Sequence, residues 1–322
     1  MEEGLSRVLI GAGLSFLATL CAGPFVIAFL RRRFRERIVS DSVQLNALHA
    51  SKQGTPTMGG VLMAAGASLG IGLCPDVSLG LDLRCAGILC LLSFAVLGAC
   101  DDLVKATGGR KGLTVRQKLF WQVVLGLGLG VYLAWMEADS AAGSAGSIQQ
   151  ILPRVLWTTL WIVSGSNAVN LTDGLDGLAA GCTALAAIAL TAAIVLGGGA
   201  SGWGVLVASL GGSAFAFLWY NRHPARVFMG DAGSLPLGAM LGFCAVGAGR
   251  ELAMGLAGLV FLVETLSVVL QVCWFRRTGR RVFLCSPLHN HFVFLGAGEQ
   301  RIVGAFWALG ALAGVFGVIF GS

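Results

Sequence analysis

Apolar residues gather along this chain in long runs, broken by short stretches rich in Gly, Pro, Asp, Lys and Arg. A run of about 20 mostly apolar residues is long enough, as a helix, to cross the hydrocarbon core of a bilayer. Ten segments qualify as candidate spans: 8–30, 59–75, 85–100, 119–136, 155–171, 178–196, 203–220, 235–249, 252–275 and 302–321. Several fall short of the ideal length. Only the run from Gly197 to Gly202 divides segments six and seven, and its glycines suit a tight turn. The first segment reads as a span rather than a cleaved signal peptide. Glu2 and Glu3 precede it, and an arginine cluster follows it. The expected fold class is therefore an all-α integral membrane protein of about ten transmembrane helices, forming a single polytopic domain over residues 1–322.

Composition agrees with the pattern. Hydrophobic residues make up 56% of the chain and charged residues only 12%, about half of what a soluble domain carries. That balance argues against a soluble enzyme and against disorder. The 48 glycines suit helices that approach closely where lipid supplies no hydrophobic drive for association. The nine Cys form no CxxC pair, so neither a zinc site nor a disulfide framework follows.

A net charge of +6 would suggest nucleic acid in a soluble protein, but here its distribution explains it. One set of loops, about 31–58, 101–118, 172–177, 221–234 and 276–301, holds 18 of the 22 Lys and Arg. The other side has only Arg7, Arg84, Arg154 and Arg250. By the positive-inside rule the first set is cytoplasmic and both termini are external. No nucleic-acid partner is needed.

The cytoplasmic loops also hold the chemistry: Asp101, Asp102, Asp173, Asp176, Asp231 and all four His. A chain that concentrates its acids and imidazoles on one membrane face is expected to act there. Asp101 and Asp102 repel each other beside an apolar run unless a cation compensates them, or else they simply cap the helix end. In Asn167–Gly177, Asp173 and Asp176 share a face, and capping accounts for one Asp but not for two Asn and two Asp together. Asp231, between Gly230 and Gly233, reads either as a helix cap or as a group set where backbone can approach a phosphate or metal. Lys52 precedes the Gly54–Gly60 run, which is not a Walker loop; it is an anion contact or plain loop punctuation. His289 and His291, among Arg276, Arg277, Arg280 and Arg281, fit an anion-recognition loop or a solvated basic one. Glu264 falls midway along segment nine. With Ser267 and Gln271 it makes a polar stripe that is either functional or packed against another polar helix.

Together these motifs resemble a known family. The run His49-Ala50-Ser51-Lys52-Gln53-Gly54-Thr55-Pro56-Thr57-Met58-Gly59-Gly60 is similar to the signature near the second span of phospho-N-acetylmuramoyl-pentapeptide transferases. Asp101-Asp102 with Lys105, the Asn167–Gly177 segment, Trp219 through Leu235, and Glu264 with Ser267 and Gln271 resemble its further motifs, in order, over residues 40–307. The last loop departs from the pattern. Where the family usually has three consecutive His, Phe and an acid, this chain has His289-Asn290-His291-Phe292-Val293.

The resemblance implies transfer of phospho-N-acetylmuramoyl-pentapeptide from UDP-MurNAc-pentapeptide to undecaprenyl phosphate, giving lipid I and UMP. This is the first membrane step of peptidoglycan synthesis. It implies a multi-pass protein of the bacterial cytoplasmic (inner) membrane, among membrane lipids, and it is compatible with a homodimer. It implies Mg²⁺ as cofactor, with Asp231 the leading ligand and Asp101 a second. Asp101 and Asp102 hold or deprotonate the acceptor phosphate or help bind the metal, so Asp101, Asp102 and Asp231 are the expected catalytic residues. Asn170, Asp173, Asp176 and Asn221 would shape the nucleotide and pyrophosphate site. Lys52, Thr57, Lys118, His289 and His291 would contact substrate. Two other classes remain open. A sibling transferase would take UDP-GlcNAc or a related sugar donor. A secondary transporter should carry its carboxylates near the bilayer midplane, whereas here only Glu264 lies deep.

Overall fold

The computed structural model describes residues 2–34, 52, 54–75, 80–107, 112–140, 148–198 and 201–322. Outside them lie His49, Ala50, Ser51 and Gln53 of the first motif, Arg35, Arg37, Arg110 and Lys111 of the basic loops, residues 141–147, and Gly199 with Ala200. Among the described residues the chain is helical and forms no strand.

Among the described residues twelve helices follow in order: α1 (Glu2–Arg33), α2 (Gly60–Leu73), α3 (Leu81–Thr107), α4 (Val115–Ser140), α5 (Ile148–Thr172) and α6 (Leu178–Leu196), then α7 (Ser201–Asn221), α8 (Asp231–Gly247), α9 (Glu251–Ala257), α10 (Leu259–Thr278), α11 (Leu288–Phe294) and α12 (Glu299–Gly321). Seven of them, α1, α3, α4, α6, α7, α10 and α12, are long and apolar enough to cross a membrane. The chain is thus of integral-membrane type. Segments 59–75 and 235–249 became the shorter apolar helices α2, of 14 residues, and α8, of 17. Segment 252–275, read as one span, is two helices that meet at Gly258.

Helix ends gather into two groups. At one end, the Arg84 guanidinium donates to the carbonyls of Ile71, Gly72 and Cys74, satisfying the last turn of α2. At that same end Arg154 pairs with Glu137, and Arg250 donates to the Gly197 carbonyl. The acidic motifs meet at the other end.

The core helix is α8. Its residues from Asp231 to Val246 are all buried. Glycines let its neighbours reach its backbone directly. A Cβ on Gly98 of α3 would overlap the Asp231 carbonyl, and one on Gly60 of α2 would overlap Gly233. A Cβ on Gly238 of α8 would overlap the Gly165 carbonyl of α5. Small residues are what allow such contact between helices in lipid. The position of α8, and of Asp231 at its start, is therefore set by backbone against backbone.

Candidate active site

The site is built around the first turn of α8. Gly230 turns the chain into the helix at φ 70°, where a side chain would be strained. The helix starts with unpaired N–H donors. Asp102 satisfies two of them: one carboxylate oxygen accepts the Asp231 N–H at 3.2 Å, and the other accepts the Ala232 N–H at 3.0 Å. Asp102, from the far end of α3, therefore caps α8, and the Asp231 side chain is left for other partners.

Asp231 Oδ1 accepts from Asn170 Nδ2 at 2.8 Å, and Asn170 also reaches Ser234 at 2.9 Å. Asp231 Oδ2 faces two ammoniums, Lys118 at 2.5 Å and Lys105 at 3.1 Å. Asp101 Oδ2 shares both of them, at 2.7 Å from Lys105 and 3.4 Å from Lys118, while its Oδ1 accepts the Leu113 N–H at 2.6 Å. Carboxylate oxygens of Asp101, Asp102 and Asp231 lie within 4.8 Å of one another, and all three residues are buried. Two ammoniums serve three carboxyl groups, and the N–H groups at the start of α8 meet Asp102 besides. All-oxygen donors of this kind fit a hard divalent cation, and Mg²⁺ binds through one or two carboxylates plus substrate phosphates.

The cluster borders a cavity of about 320 Å³. Asp102, Lys105, Asn170 and Asp231 line it together with Asp173, Gly174, Leu175, Asp176, Asn221 and Phe228, and Lys52 and Thr57 also contribute. Backbone pairing holds the Thr57 run in place. The Phe228 N–H donates to the Pro56 carbonyl at 2.8 Å, and the Gly59 and Gly60 N–H groups donate to Phe228 and Met229 carbonyls at 2.9 Å each. Asn221 joins two loops, accepting the Gly177 N–H at 3.0 Å and donating to the Val227 carbonyl at 2.9 Å. Asp176 accepts the Ala225 N–H at 3.1 Å and pairs with Lys52 at 2.9 Å. Lys52 also meets Glu299 at 2.7 Å. Asp176, His223 and Glu299 form a second group of close donor atoms, which the Lys52 ammonium joins.

The two histidines of the last loop lie apart from the cavity lining. His289 is 1% exposed. Its backbone N–H donates to Glu264 at 3.1 Å, and its Nδ1 lies 3.2 Å from the same carboxylate. Its Nε2 faces the backbone of Gly174, so the ring stands behind the Asp173–Asp176 turn. His291 Nδ1 accepts the Leu284 N–H at 3.2 Å, and its ring meets the Phe283 ring edge-on. The polar stripe on α10 anchors this loop. Gln271 accepts the N–H groups of Val282 and Phe283 and donates to the Phe283 carbonyl, as Glu264 holds His289.

Of the residues expected from the sequence, the structure brings together Asp101, Asp102, Lys118, Asn170 and Asp231 in one cluster. Lys52, Thr57, Asp173, Asp176 and Asn221 stand along the adjoining cavity; His289 is behind it, and His291 is outside it. Lys105 was not among the expected contact residues, although its spacing of four from Asp101 on one helix was a usable signal. His223 fell inside the Trp219–Leu235 motif without a role of its own, and Glu299 gave no signal, reading alone as a loop-end polar residue.

A family model described as "Glycosyl transferase family 4" matches residues 85–249, which span Asp101 to Asp231. With an all-helical membrane-type bundle, this makes the chain a membrane glycosyl transferase of that class. A second model, "Phospho-N-acetylmuramoyl-pentapeptide-transferase signature 1", matches residues 52–62. Curated proteins named phospho-N-acetylmuramoyl-pentapeptide-transferase are similar over nearly their whole length. The one from Moorella thermoacetica is 43% identical, covering 98% of this chain and 99% of its own. The one from Desulforudis audaxviator is 42% identical over 97% of each chain. The one from Desulforamulus reducens is 39% identical over 97% of this chain and 95% of its own. The chain belongs to the phospho-N-acetylmuramoyl-pentapeptide-transferase family.

Proposed function

We propose that this protein transfers phospho-N-acetylmuramoyl-pentapeptide from UDP-MurNAc-pentapeptide to undecaprenyl phosphate at the cytoplasmic face of a bacterial inner membrane. The chain forms one polytopic domain, crosses the bilayer about ten times and keeps both termini outside. The observation that carries the reading is the Asp101–Asp102–Asp231 cluster with its two lysines, bordering a cavity in a chain of this family. A nucleotide donor in water and a phosphate on a lipid can meet only at the interface, and the end of the bundle with this cluster also has the basic helix ends of α1 and α10.

In the reaction an oxygen of the lipid phosphate attacks the sugar-linked phosphorus of the donor, and the bond to the UMP oxygen breaks. A phosphate monoester is already largely ionised at neutral pH, with a second pKa of about 6, so the need for a strong base is modest. Asp231 and Asp101 would hold Mg²⁺, which when bound neutralises phosphate oxygens and polarises the phosphorus. Lys105 and Lys118 keep the two carboxylates in place and add positive charge beside the reacting phosphates. Asp102 fixes the first turn of α8, so that Asp231 presents one orientation. Asn170 holds the second Asp231 oxygen. Lys52, Thr57, Asp173, Asp176 and Asn221 line the donor's part of the cavity, and Lys52 leaves its two carboxylate partners to meet an anionic group of the donor. His289 supports the Asp173–Asp176 turn from behind.

The test is turnover by purified protein in detergent with Mg²⁺, undecaprenyl phosphate and UDP-MurNAc-pentapeptide, scored as UMP release. Release with that donor and none with UDP-GlcNAc is expected. Equal or faster turnover of UDP-GlcNAc would overturn the donor assignment, and no release with either donor would overturn the reaction.

A further inference from the structure

One turn inside the bundle from the carboxylate cluster is a polar contact that the reaction does not use. Gln122 of α4 is fully buried. Its Nε2 donates to Ser166 Oγ of α5 at 3.1 Å, and its Oε1 accepts from Asn167 Nδ2 at 2.9 Å. Ser166 is buried too, and Asn167 also donates to the Val163 carbonyl of its own helix. Both polar atoms of the Gln122 amide are therefore engaged on α5.

The placement of this contact along the two helices gives it meaning. Gln122 is four residues from Lys118 on α4, so the two share a helix face. Ser166 and Asn167 are four and three residues from Asn170 on α5, on the same face in their turn. Lys118 and Asn170 grip opposite oxygens of Asp231, Lys118 sharing its oxygen with Lys105 of α3. At the same level, Gly165 and Ser166 touch the backbone of α8 at Gly238. Farther along the same pair, Gly126 and Gly130 of α4 pack closely on Thr159 and the Val155 backbone of α5. The Gln122 amide, bonded to two neighbouring residues of the facing helix, adds a directional anchor at the end nearer the cluster.

We propose that Gln122, with Ser166 and Asn167, is a positioning element. It locks the register of α4 against α5, and so holds Lys118 and Asn170 on the Asp231 carboxylate. The inference rests on Asp231 being the centre of the reaction proposed above, but the lock itself is a structural property that is measurable without turnover. Without it, the end of α4 that carries Lys118 can shift or turn about the glycine contacts farther along, and Lys118 leaves Asp231 while α5 stays clamped to α8 through its own glycine contact. Misplacement of that order at a reacting centre costs on the order of a hundredfold in rate.

Two measurements test this. In the first, Gln122→Met keeps the length of the side chain and removes both hydrogen bonds. It is expected to lower kcat at least tenfold while the KM for the UDP-linked donor stays within about threefold, because the donor's part of the cavity is carried by other elements. The double variant Gln122→Met/Ser166→Ala should be no slower than Gln122→Met alone, since both remove the same contact. In the second, spin labels at Arg116→Cys on α4 and Arg222→Cys just after α7, both exposed positions, report the seating of α4, with Cys21, Cys85, Cys100 and Cys273 replaced by Ser. Gln122 should give one narrow distance distribution, and Gln122→Met a broadened or shifted one. An unchanged distribution in Gln122→Met overturns the lock, whatever the turnover. A wild-type protein that releases no UMP sinks the functional reading alone, and the label distances still decide the lock.

Discussion

Replacing Asp231 by Asn isolates the charge at the centre of the cluster. The amide keeps the shape, and its oxygen can still accept from Asn170. Its nitrogen, however, now faces the ammoniums of Lys105 and Lys118, which were 3.1 and 2.5 Å from a carboxylate oxygen. Both lysines retain Asp101, at 2.7 and 3.4 Å, and α8 retains its cap on Asp102. The variant is therefore expected to fold and to elute from detergent size exclusion as wild type does. It removes one of the three carboxyl groups that share two ammoniums, and with it the charge placed to draw a cation. Two unit charges 4 Å apart near a protein surface interact by about 4 kcal/mol, and a divalent ion by about twice that. If only half of the divalent figure reaches the transition state, about 4 kcal/mol, the rate falls roughly a thousandfold. Raising Mg²⁺ should not restore it. UMP release from purified Asp231→Asn, over a range of Mg²⁺ concentrations, is the assay. Activity within tenfold of wild type would show that Asp231 serves the helix start and that the site is centred elsewhere.

Other substitutions probe the surroundings. Gly230→Ala puts a Cβ 2.5 Å from Asp102 Oδ2 and 3.0 Å from Thr57 Oγ1, at a backbone angle that costs about 1–3 kcal/mol on its own; it should lower the melting temperature and cut turnover at least tenfold, and a silent Gly230→Ala would refute the capping role of Asp102. His289→Ala keeps the backbone N–H bond to Glu264 but removes a fully buried ring beside it, so a stability loss of about 1–3 kcal/mol is expected in denaturant unfolding. Asn290→His should change turnover by less than about tenfold, roughly 1.4 kcal/mol in barrier, because the neighbouring Arg276, Arg277, Arg280 and Arg281 already make the loop strongly basic. Impermeant thiol reagents should label Ser322→Cys from outside and Ala297→Cys only from inside in oriented vesicles. Outside labelling at 297 would invert the topology proposed here.

Hydropathy made most helices legible, because an unbroken apolar run reports its own burial. It did not reveal the break at Gly258, since the apolar run continues on both sides of it. The aspartates were legible as a group, because charge at the end of an apolar run is rare and expensive. Their division of labour was not. Asp231 read as the natural cap of its own helix, yet Asp102 supplies that cap from 129 positions away. No local pattern carries such a pairing. The same limit hid Lys52–Glu299, 247 residues apart, and Gln122, whose partners lie on another helix. His291 shows the converse. A histidine in a basic loop suggests anion binding, but here its ring accepts a backbone N–H of its own loop.

The burial of α8 bears on how the protein meets membranes of different thickness. At 1.5 Å per residue its 17 residues extend roughly 25 Å, less than a hydrocarbon core of about 30 Å. A lipid-facing helix that short would thin the bilayer or tilt neighbours around it. This one is sheathed by protein along its length, so mismatch falls instead on the outer helices, such as α1 and α4, whose apolar side chains are exposed. Thicker or thinner bilayers would then strain the rim of the protein first, and the helix that begins at Asp231 last.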